Sequence, residues 1–426
     1  MLDINRIKTD AAGVAKALAK RGYKADFKEI LVLDEKRRQL IAKADDMKAE
    51  RNKVSASVPV LKKEGKDTKH VFERMRKLGD DISKTEAELS KAEKSLNDLM
   101  AAVPNIPDDD IAAGGKEENQ IIETFGKKPE FNFKAKDHVE LCTALGLIDY
   151  ERGAKLSGSG FCAYRGWGAR LEWALINLFI DQHLKDGYEM IMPPYLLLNH
   201  CGYGSGQFPK FSGEVFKVKT DGSDTERFLA PTAETSLVNL YANEIIPVAE
   251  LPKKFFAYTQ CFRTEIGSYR AEERGMVRTH QFNKVEMVQY CTPEQSKAAF
   301  EELVNKAVDL LKQLGLHFVL SKLAAGDISA GMTRTYDVEV WIPSMGIYKE
   351  ASSVSNANDY QARRNNTKFK GGDGKNQYVY MLNGSGLATS RVLPALVEQN
   401  QNADGSINVP KVLQKYLGVD KICLKN

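Results

Sequence analysis

Residues 255–290 read FFAYTQCFRTEIGSYRAEERGMVRTHQFNKVEMVQY: two apolar-rich runs that predict strands, joined by the charged connection IGSYRAEERG. That connection is about ten residues long, where ordinary hairpins turn in roughly two to five. Alternate residues of a strand share a face, so Arg263 and Glu265 point together on the first strand, and Arg278, Phe282 and Glu286 on the second. If the two faces coincide, one wall carries two guanidiniums, two carboxylates and an aromatic ring, a set suited to a nucleotide and an amine. The long connection is then a binding loop. The same residues also fit a solvated sheet face with cross-strand Arg–Glu pairs worth about 0.2–1 kcal/mol each. The hairpin alone does not choose between these readings.

The chain around it has 426 residues, room for two or three domains, and its 42% hydrophobic and 28% charged composition is that of an ordinary globular protein. The start, MLDINRIKTDAAGVAKALAKRG, is broken by charge throughout. It predicts neither a secretory signal nor a membrane anchor, hence a cytoplasmic protein with no membrane partner. Six scattered cysteines without a CxxC pair predict reduced thiols and no zinc site. Charge is uneven: residues 1–103 hold 24 Lys/Arg against 18 Asp/Glu, and the remainder 37 against 39. A basic excess of this size suits a polyanion contact and is equally common on solvated helices.

Within that basic quarter, residues 1–22 predict a short amphipathic helix carrying Ile7, Val14, Ala15 and Leu18. From about Phe27 a heptad sets in, with Leu33, Leu40, Met47 and Val54 seven apart; a second follows with Met75, Ile82, Leu89, Leu96 and Val103. Between them SASVPVLKKEGKDTKH contains Pro59 and Gly65, breakers that predict the end of the first helix and a reversal. The result is an antiparallel coiled-coil hairpin, an arm of roughly 40 Å at about 1.5 Å per residue. Such arms are most often spacers or dimerisation devices. After it AAVPNIPDDDIAAGGKEENQ reads as a linker and domain boundary.

Downstream, ARLEWALINLFIDQHLKDGYEMIMPPYLL predicts an amphipathic helix with Leu171, Leu175, Leu178 and Phe179 in one stripe, then an apolar strand ending at Pro193-Pro194. Exposed, that stripe requires a partner. Thr232 and Glu234 open a predicted helix just after Pro231, where a capping arrangement is ordinary. The cluster Glu350-Ala351-Ser352-Ser353 puts a carboxylate beside two hydroxyls, which suits Mg²⁺ held against phosphates and also an unremarked polar loop. Finally QYVYMLNGSGLATSRVLPALVEQN predicts a strand entering a helix through Asn383-Gly384-Ser385-Gly386, with Arg391 about one turn into the helix.

The string CFRTE, a loop and then RGMVRTHQFNKVE resembles motif 2 of the class II aminoacyl-tRNA synthetases in the form found in the seryl-tRNA synthetase family. The resemblance extends over nearly the whole chain, through the arm segment LDEKRRQLIAKADDMKAERNKVS, PNIPDDD, the motif 1 helix, Thr232-Ala233-Glu234 and a motif 3 segment. One departure is Gly160, where the family has a basic residue. The implied fold class is α+β: a class II antiparallel sheet with flanking helices (residues 104–426), preceded by a helical tRNA-binding arm (residues 1–103).

The implied reaction converts serine and ATP to seryl-adenylate, then acylates the 3′ end of tRNA(Ser), with tRNA(Sec) left open. By resemblance the catalytic groups are Arg263, Arg391 and Glu350. Serine is lined by Thr232, Ala233, Glu234, Arg263, Glu286 and Ser385. ATP meets Arg263, Thr264, Glu265, Arg278, Phe282, Glu350, Ala351, Ser352, Ser353 and Arg391, with Mg²⁺ on Glu350 and Ser353, Phe282 against adenine and Glu265 on its amino group. No catalytic histidine is required, and His280 is structural. On the arm, Arg37, Arg38, Arg51, Lys53, Lys62 and Lys63 are the candidates for tracking tRNA phosphates by shape. Motif 1 implies a homodimer. Rival readings are a class II ligase loading threonine or a carrier protein, and a silent tRNA-binding relative.

Overall fold

The computed structural model describes residues 1–219, 222–265 and 275–423. The charged connection expected to form a binding loop lies, but for Gly275, outside them. The chain divides into two compact units: residues 2–16 with 24–103, and Met1 with 17–23 and 104–426.

In the smaller unit, α1 (Lys28–Lys63) and α2 (Lys69–Ala102) pair along their length. The N-terminal segment expected as one helix is two, Ile4–Thr9 and Ala11–Ala19, broken at Asp10. Pro59 does not end α1, contrary to expectation: it lies inside the helix. An interior proline costs about 3 kcal/mol, but only one turn of α1 follows this one. The reversal falls instead at Gly65, whose φ of +68° gives the left-handed stop open to glycine. The arm is therefore longer than expected, roughly 50 Å at about 1.5 Å per residue.

Leu40, Ile82, Leu96 and Val103 of the predicted heptads are buried, while Leu33, Met47, Val54, Met75 and Leu89 are half-buried, as two helices alone cover a seam incompletely. Arg37 and Arg38 are committed to the buried Asp34, at 2.8 and 3.1 Å, and Lys8 approaches it at 3.4 Å. Burial alone raises the Asp34 carboxyl, but the bonds from Arg37 and Lys8 prevail and hold it below the usual carboxylate range. Arg51, Lys53, Lys62 and Lys63 are exposed.

The larger unit is built on an eight-stranded sheet: β1 (Gln120–Phe125), β2 (Glu189–Met190), β3 (Lys253–Phe262), β4 (Gln281–Cys291), β5 (Phe318–Lys322), β6 (Arg334–Ile342), β7 (Ile347–Asn356) and β8 (Tyr380–Ala388). Their order is β1-β5-β6-β7-β8-β4-β3-β2, antiparallel except at the β2–β3 edge. One face packs Val285, Met287, Val338, Val340, Val354 and Leu382 into the main core with three helices, α3 (Trp167–Lys185), α4 (Ser296–Leu314) and α5 (Thr389–Gln399). The other face packs Phe255, Ala257, Val288, Tyr290 and Met381 into a second apolar cluster and carries polar side chains further along β4.

The α3 stripe of Leu171, Leu175, Leu178 and Phe179 lies in this core, so the chain itself covers the surface expected to need a partner. The apolar side chains left exposed in this region include Trp173 (52%) and Met192 (83%). The strand after α3 is also shorter than expected, ending at Met190 before the Pro193-Pro194 pair, which cannot donate to a ladder. No helix among the described residues is long and apolar enough to cross a membrane.

Candidate active site

The β3–β4 register pairs Phe282 with Cys261, Lys284 with Thr259 and Glu286 with Ala257. Paired residues of an antiparallel ladder share a face, and Val285 and Met287 face the core. Phe282, Lys284 and Glu286 therefore project from the opposite side. Arg263, two residues beyond Cys261, joins them; its backbone N–H donates to His280 O at 2.9 Å, extending the ladder past the end of β3. The two faces coincide as expected.

Glu265 and Arg278, however, are not strand residues, because β3 stops at Phe262 and β4 starts at Gln281. Glu265 turns the chain with a φ of +50°, and its carboxylate meets the Arg278 guanidinium in an ion pair. From these strand ends both side chains reach a cleft lined also by Arg263 and Phe282, by Glu350 and Ala351 of β7, by Ser385 of β8 and by Arg391 of α5. The Arg263 guanidinium stands 5.3 Å from the centre of the Phe282 ring, and its Nε donates to Pro231 O at 3.2 Å. His280 fits a structural role: its Nδ1 lies 3.0 Å from Arg263 O, and its ring fills the space where a Cβ on Gly160 would sit.

The segment Asn383–Gly386, expected as a strand–helix turn, lies within β8; the helix begins at Thr389. Its glycine at 386 serves packing, since a Cβ there would stand 2.1 Å from His183 Nε2 of α3. Ser385 lies opposite Glu286 and Ala388 opposite Lys284, so β8 gains a residue by bulging, with Leu387 at φ +92°. The bulge lets Ser385 and Ala388 face the same cleft despite their odd spacing. Ser385 Oγ donates to Glu286 Oε2 at 3.2 Å.

Beside this wall, Thr232 precedes a one-turn helix, Glu234–Leu237, and its Oγ1 accepts the Glu234 backbone N–H at 3.2 Å. The N-cap residue is Ala233 rather than Thr232, whose hydroxyl nevertheless meets the first N–H of the helix. Ala233 is buried in a core cluster, so its side chain does not line the cleft. Glu234 Oε1 accepts from Gln361 Nε2 at 2.8 Å and Asn383 Nδ2 at 2.9 Å. Burial, then the nearby Glu286 carboxylate, push Glu234 up to about 7.

A second bulge shapes β7: Glu350 pairs with Glu339 and Ser352 with Val338, leaving Ala351 extra. Glu350 and Ser353 consequently share a face despite being three apart, with Ser353 opposite Asp337 and donating to its carboxylate. Burial, then Glu350, raise Asp337 well above the carboxylate range, and its Oδ1 is buried without a partner among the described residues. Ser352 differs from expectation: its Oγ donates to Ser385 O at 2.6 Å, so its proton is spent on the neighbouring strand, and it is absent from the cleft lining. Thr264 is held through its backbone N–H to Glu214 O and is likewise absent from the cleft lining.

Several residues escaped the sequence reading. Lys284 is 7% exposed, and its ammonium reaches Thr232 Oγ1 at 2.7 Å and Glu286 Oε2 at 2.5 Å. The alternation that singled out Phe282 and Glu286 passes through it and would have found it. Glu172 of α3 accepts from Asn283 Nδ2 at 2.7 Å and from the Thr389 hydroxyl, joining α3 to β4 and the start of α5. Burial raises it to about 7. No local signal marks a glutamate inside an apolar stripe for that role.

Residues 1–107 match the model of the seryl-tRNA synthetase N-terminal domain, and residues 216–400 that of the tRNA synthetase class II core domain (G, H, P, S and T). The chain is 53% identical over 425 residues to serine–tRNA ligase 2 of Clostridium acetobutylicum, covering 99% of this chain and 100% of that one. The chain belongs to the seryl-tRNA synthetase family. Another family member, the serine–tRNA ligase of Nitratidesulfovibrio vulgaris, is 43% identical over 421 residues, 98% of each chain. The seryl-tRNA synthetase of Pyrococcus horikoshii, solved in complex with ATP, superposes with a TM-score of 0.89 at 31% identity over the full length of both chains. The segments that resemble motifs 2 and 3 lie on β3–β4 and β8–α5, both inside the matched core.

Proposed function

We propose that the chain activates L-serine with ATP and transfers it to the 3′ end of tRNA(Ser), with tRNA(Sec) a further acceptor to be assayed alongside. The observation that carries this reading is the convergence of Arg263, Glu265, Arg278 and Phe282 from the β3–β4 hairpin with Glu350 and Arg391 in one cleft. A serine carboxylate oxygen attacks the α-phosphorus, forming the acyl–phosphate bond as the bond to the β-phosphate oxygen breaks and pyrophosphate leaves. Two anions must meet, so the protein's contribution is positive charge and alignment rather than proton transfer.

In this reading Arg263 holds the α-phosphate and the serine carboxylate, and Arg391 the γ-phosphate. Phe282 stacks on adenine, and Glu265 accepts from its amino group. Glu286, Glu234 and Ser385 bind the serine head group. A divalent cation fits beside Glu350: Asp337 Oδ1 is buried there without a partner among the described residues, and burial, then the Glu350 carboxylate, hold Asp337 in its protonated form. Glu350 and Ser353 would hold Mg²⁺, which when bound neutralises the triphosphate. Among the described residues no group of three or more His, Cys, Asp or Glu could hold a metal by itself, in keeping with Mg²⁺ taking few carboxylates and keeping waters and phosphate.

Residues 1–103 act as the tRNA-gripping arm through Arg51, Lys53, Lys62 and Lys63, joined by Arg37 and Arg38, which keep further N–H donors while bonded to Asp34. Residues 104–426 act as the catalytic domain, two copies of which associate around Trp173 and Met192 in the cytoplasm. ATP–pyrophosphate exchange driven separately by serine, threonine, alanine and proline is the test. Exchange with serine alone supports the reading, and exchange with another amino acid or with none defeats it.

A further inference from the structure

Lys284 has no part in the reaction just described, yet its ammonium sits between the two elements assigned to serine. A buried ammonium costs several kcal/mol unless its hydrogen bonds are met, and here they fix the roles of the groups that meet them. A hydroxyl has one proton to donate and two lone pairs to accept with. Thr232 Oγ1 accepts from Lys284 Nζ at 2.7 Å and from the Glu234 backbone N–H at 3.2 Å. Both lone pairs are then occupied, and the Thr232 proton is left to donate.

Glu286 Oε2 accepts from Lys284 at 2.5 Å and from Ser385 Oγ at 3.2 Å. That spends the Ser385 proton and leaves the Ser385 oxygen to accept. It also leaves Glu286 Oε1 as the oxygen available to a ligand.

Resting on the reading of this cleft as a serine site, we infer that Lys284 is the positioning residue that fixes the hydrogen-bond polarity of the amino-acid pocket, making Thr232 a donor and Glu286 Oε1 with Ser385 Oγ acceptors. An ammonium has no lone pair, so Thr232 is directed to a carboxylate or hydroxyl oxygen of the ligand. The ligand's ammonium falls to Glu286 and Glu234. A ligand hydroxyl uses both polarities at once, while the methyl group of alanine uses neither.

The test is exchange kinetics on Lys284→Met, which keeps the stem and removes the donors, and on Thr232→Val. Each is expected to raise the KM for serine by about tenfold or more, the worth of one charged hydrogen bond. Each also lowers the preference for serine over alanine by a similar factor and leaves the KM for ATP unchanged. In the double variant the two losses do not add, because both act through one bond. Unchanged serine KM and preference, additive losses, or serine and ATP KM rising together overturn the proposal.

A structural arm needs no turnover: a crystal structure of Lys284→Met is expected to show Thr232 or Glu286 in a new rotamer, and both unmoved overturns it. A wild-type chain without serine-driven exchange defeats the reading of the cleft, and the structural arm still judges Lys284.

Discussion

Ser385 Oγ and Glu286 Oε2 lie 3.2 Å apart across the β4–β8 ladder, opposite each other in the regular register that ends at the bulge near Leu387. In the proposed serine site, a hydroxyl and a carboxylate already joined before the ligand arrives would form a prearranged acceptor for a hydroxylated amino acid. A site of this kind rejects the analogue lacking the hydroxyl by leaving buried polar groups unpaired.

Ser385→Ala is expected to raise the KM for serine by about 10- to 100-fold, the range of a hydrogen bond to a charged group. The KM for ATP should stay near wild type. Steady-state ATP–pyrophosphate exchange with each substrate varied in turn measures both.

Two of the cleft arginines, Arg263 and Arg391, should separate kinetically. Arg263→Ala and Arg391→Ala are each expected to lower exchange by about 10²- to 10³-fold, the scale of losing one preorganised charge from a phosphoryl site. Because Arg263 Nε also holds Pro231 O beside Thr232, Arg263→Ala should additionally raise the KM for serine. Arg391→Ala should act on ATP alone.

Excising residues 28–102 and closing the gap with a short glycine linker should leave serine-dependent exchange intact while abolishing charging of tRNA. The basis is the separation of the arm from the sheet-based unit. Parallel loss of both activities would count against the arm's assignment.

Glu172 and Glu234 both titrate near pH 7, raised from an ordinary value of 4.5 by burial. A carboxyl raised in the folded state binds its proton more tightly there than when unfolded. Its contribution to stability is complete below about pH 4.5 and is lost as pH rises through about 7. The melting temperature of Glu172→Gln should therefore fall less steeply than that of the wild type between those values. Calorimetric scans at pH 5, 6, 7 and 8 check it.

How much of this was legible from residues alone follows from the range of each interaction. The heptads and the β3–β4 alternation are local repeats, so the arm and the shared face of Arg263, Phe282 and Glu286 could be read directly. Lys284 lay in the same alternation and was overlooked. Pro59 misled because a local propensity gave way to a helix already supported by its partner. The α3 stripe misled because the core that covers it comes from distant strands.

The sequence by itself determined the family, the α+β class and most residues that meet in the cleft, because motif spacing and strand alternation are written in consecutive positions. Only the tertiary structure decided which of their atoms remain available. The bulges at Ala351 and Leu387, the loss of the Ser352 proton to a neighbouring carbonyl and the Lys284–Thr232 bridge all depend on register between separate segments of the chain. Hydrogen-bond partners are set by position in space, and no local pattern encodes that.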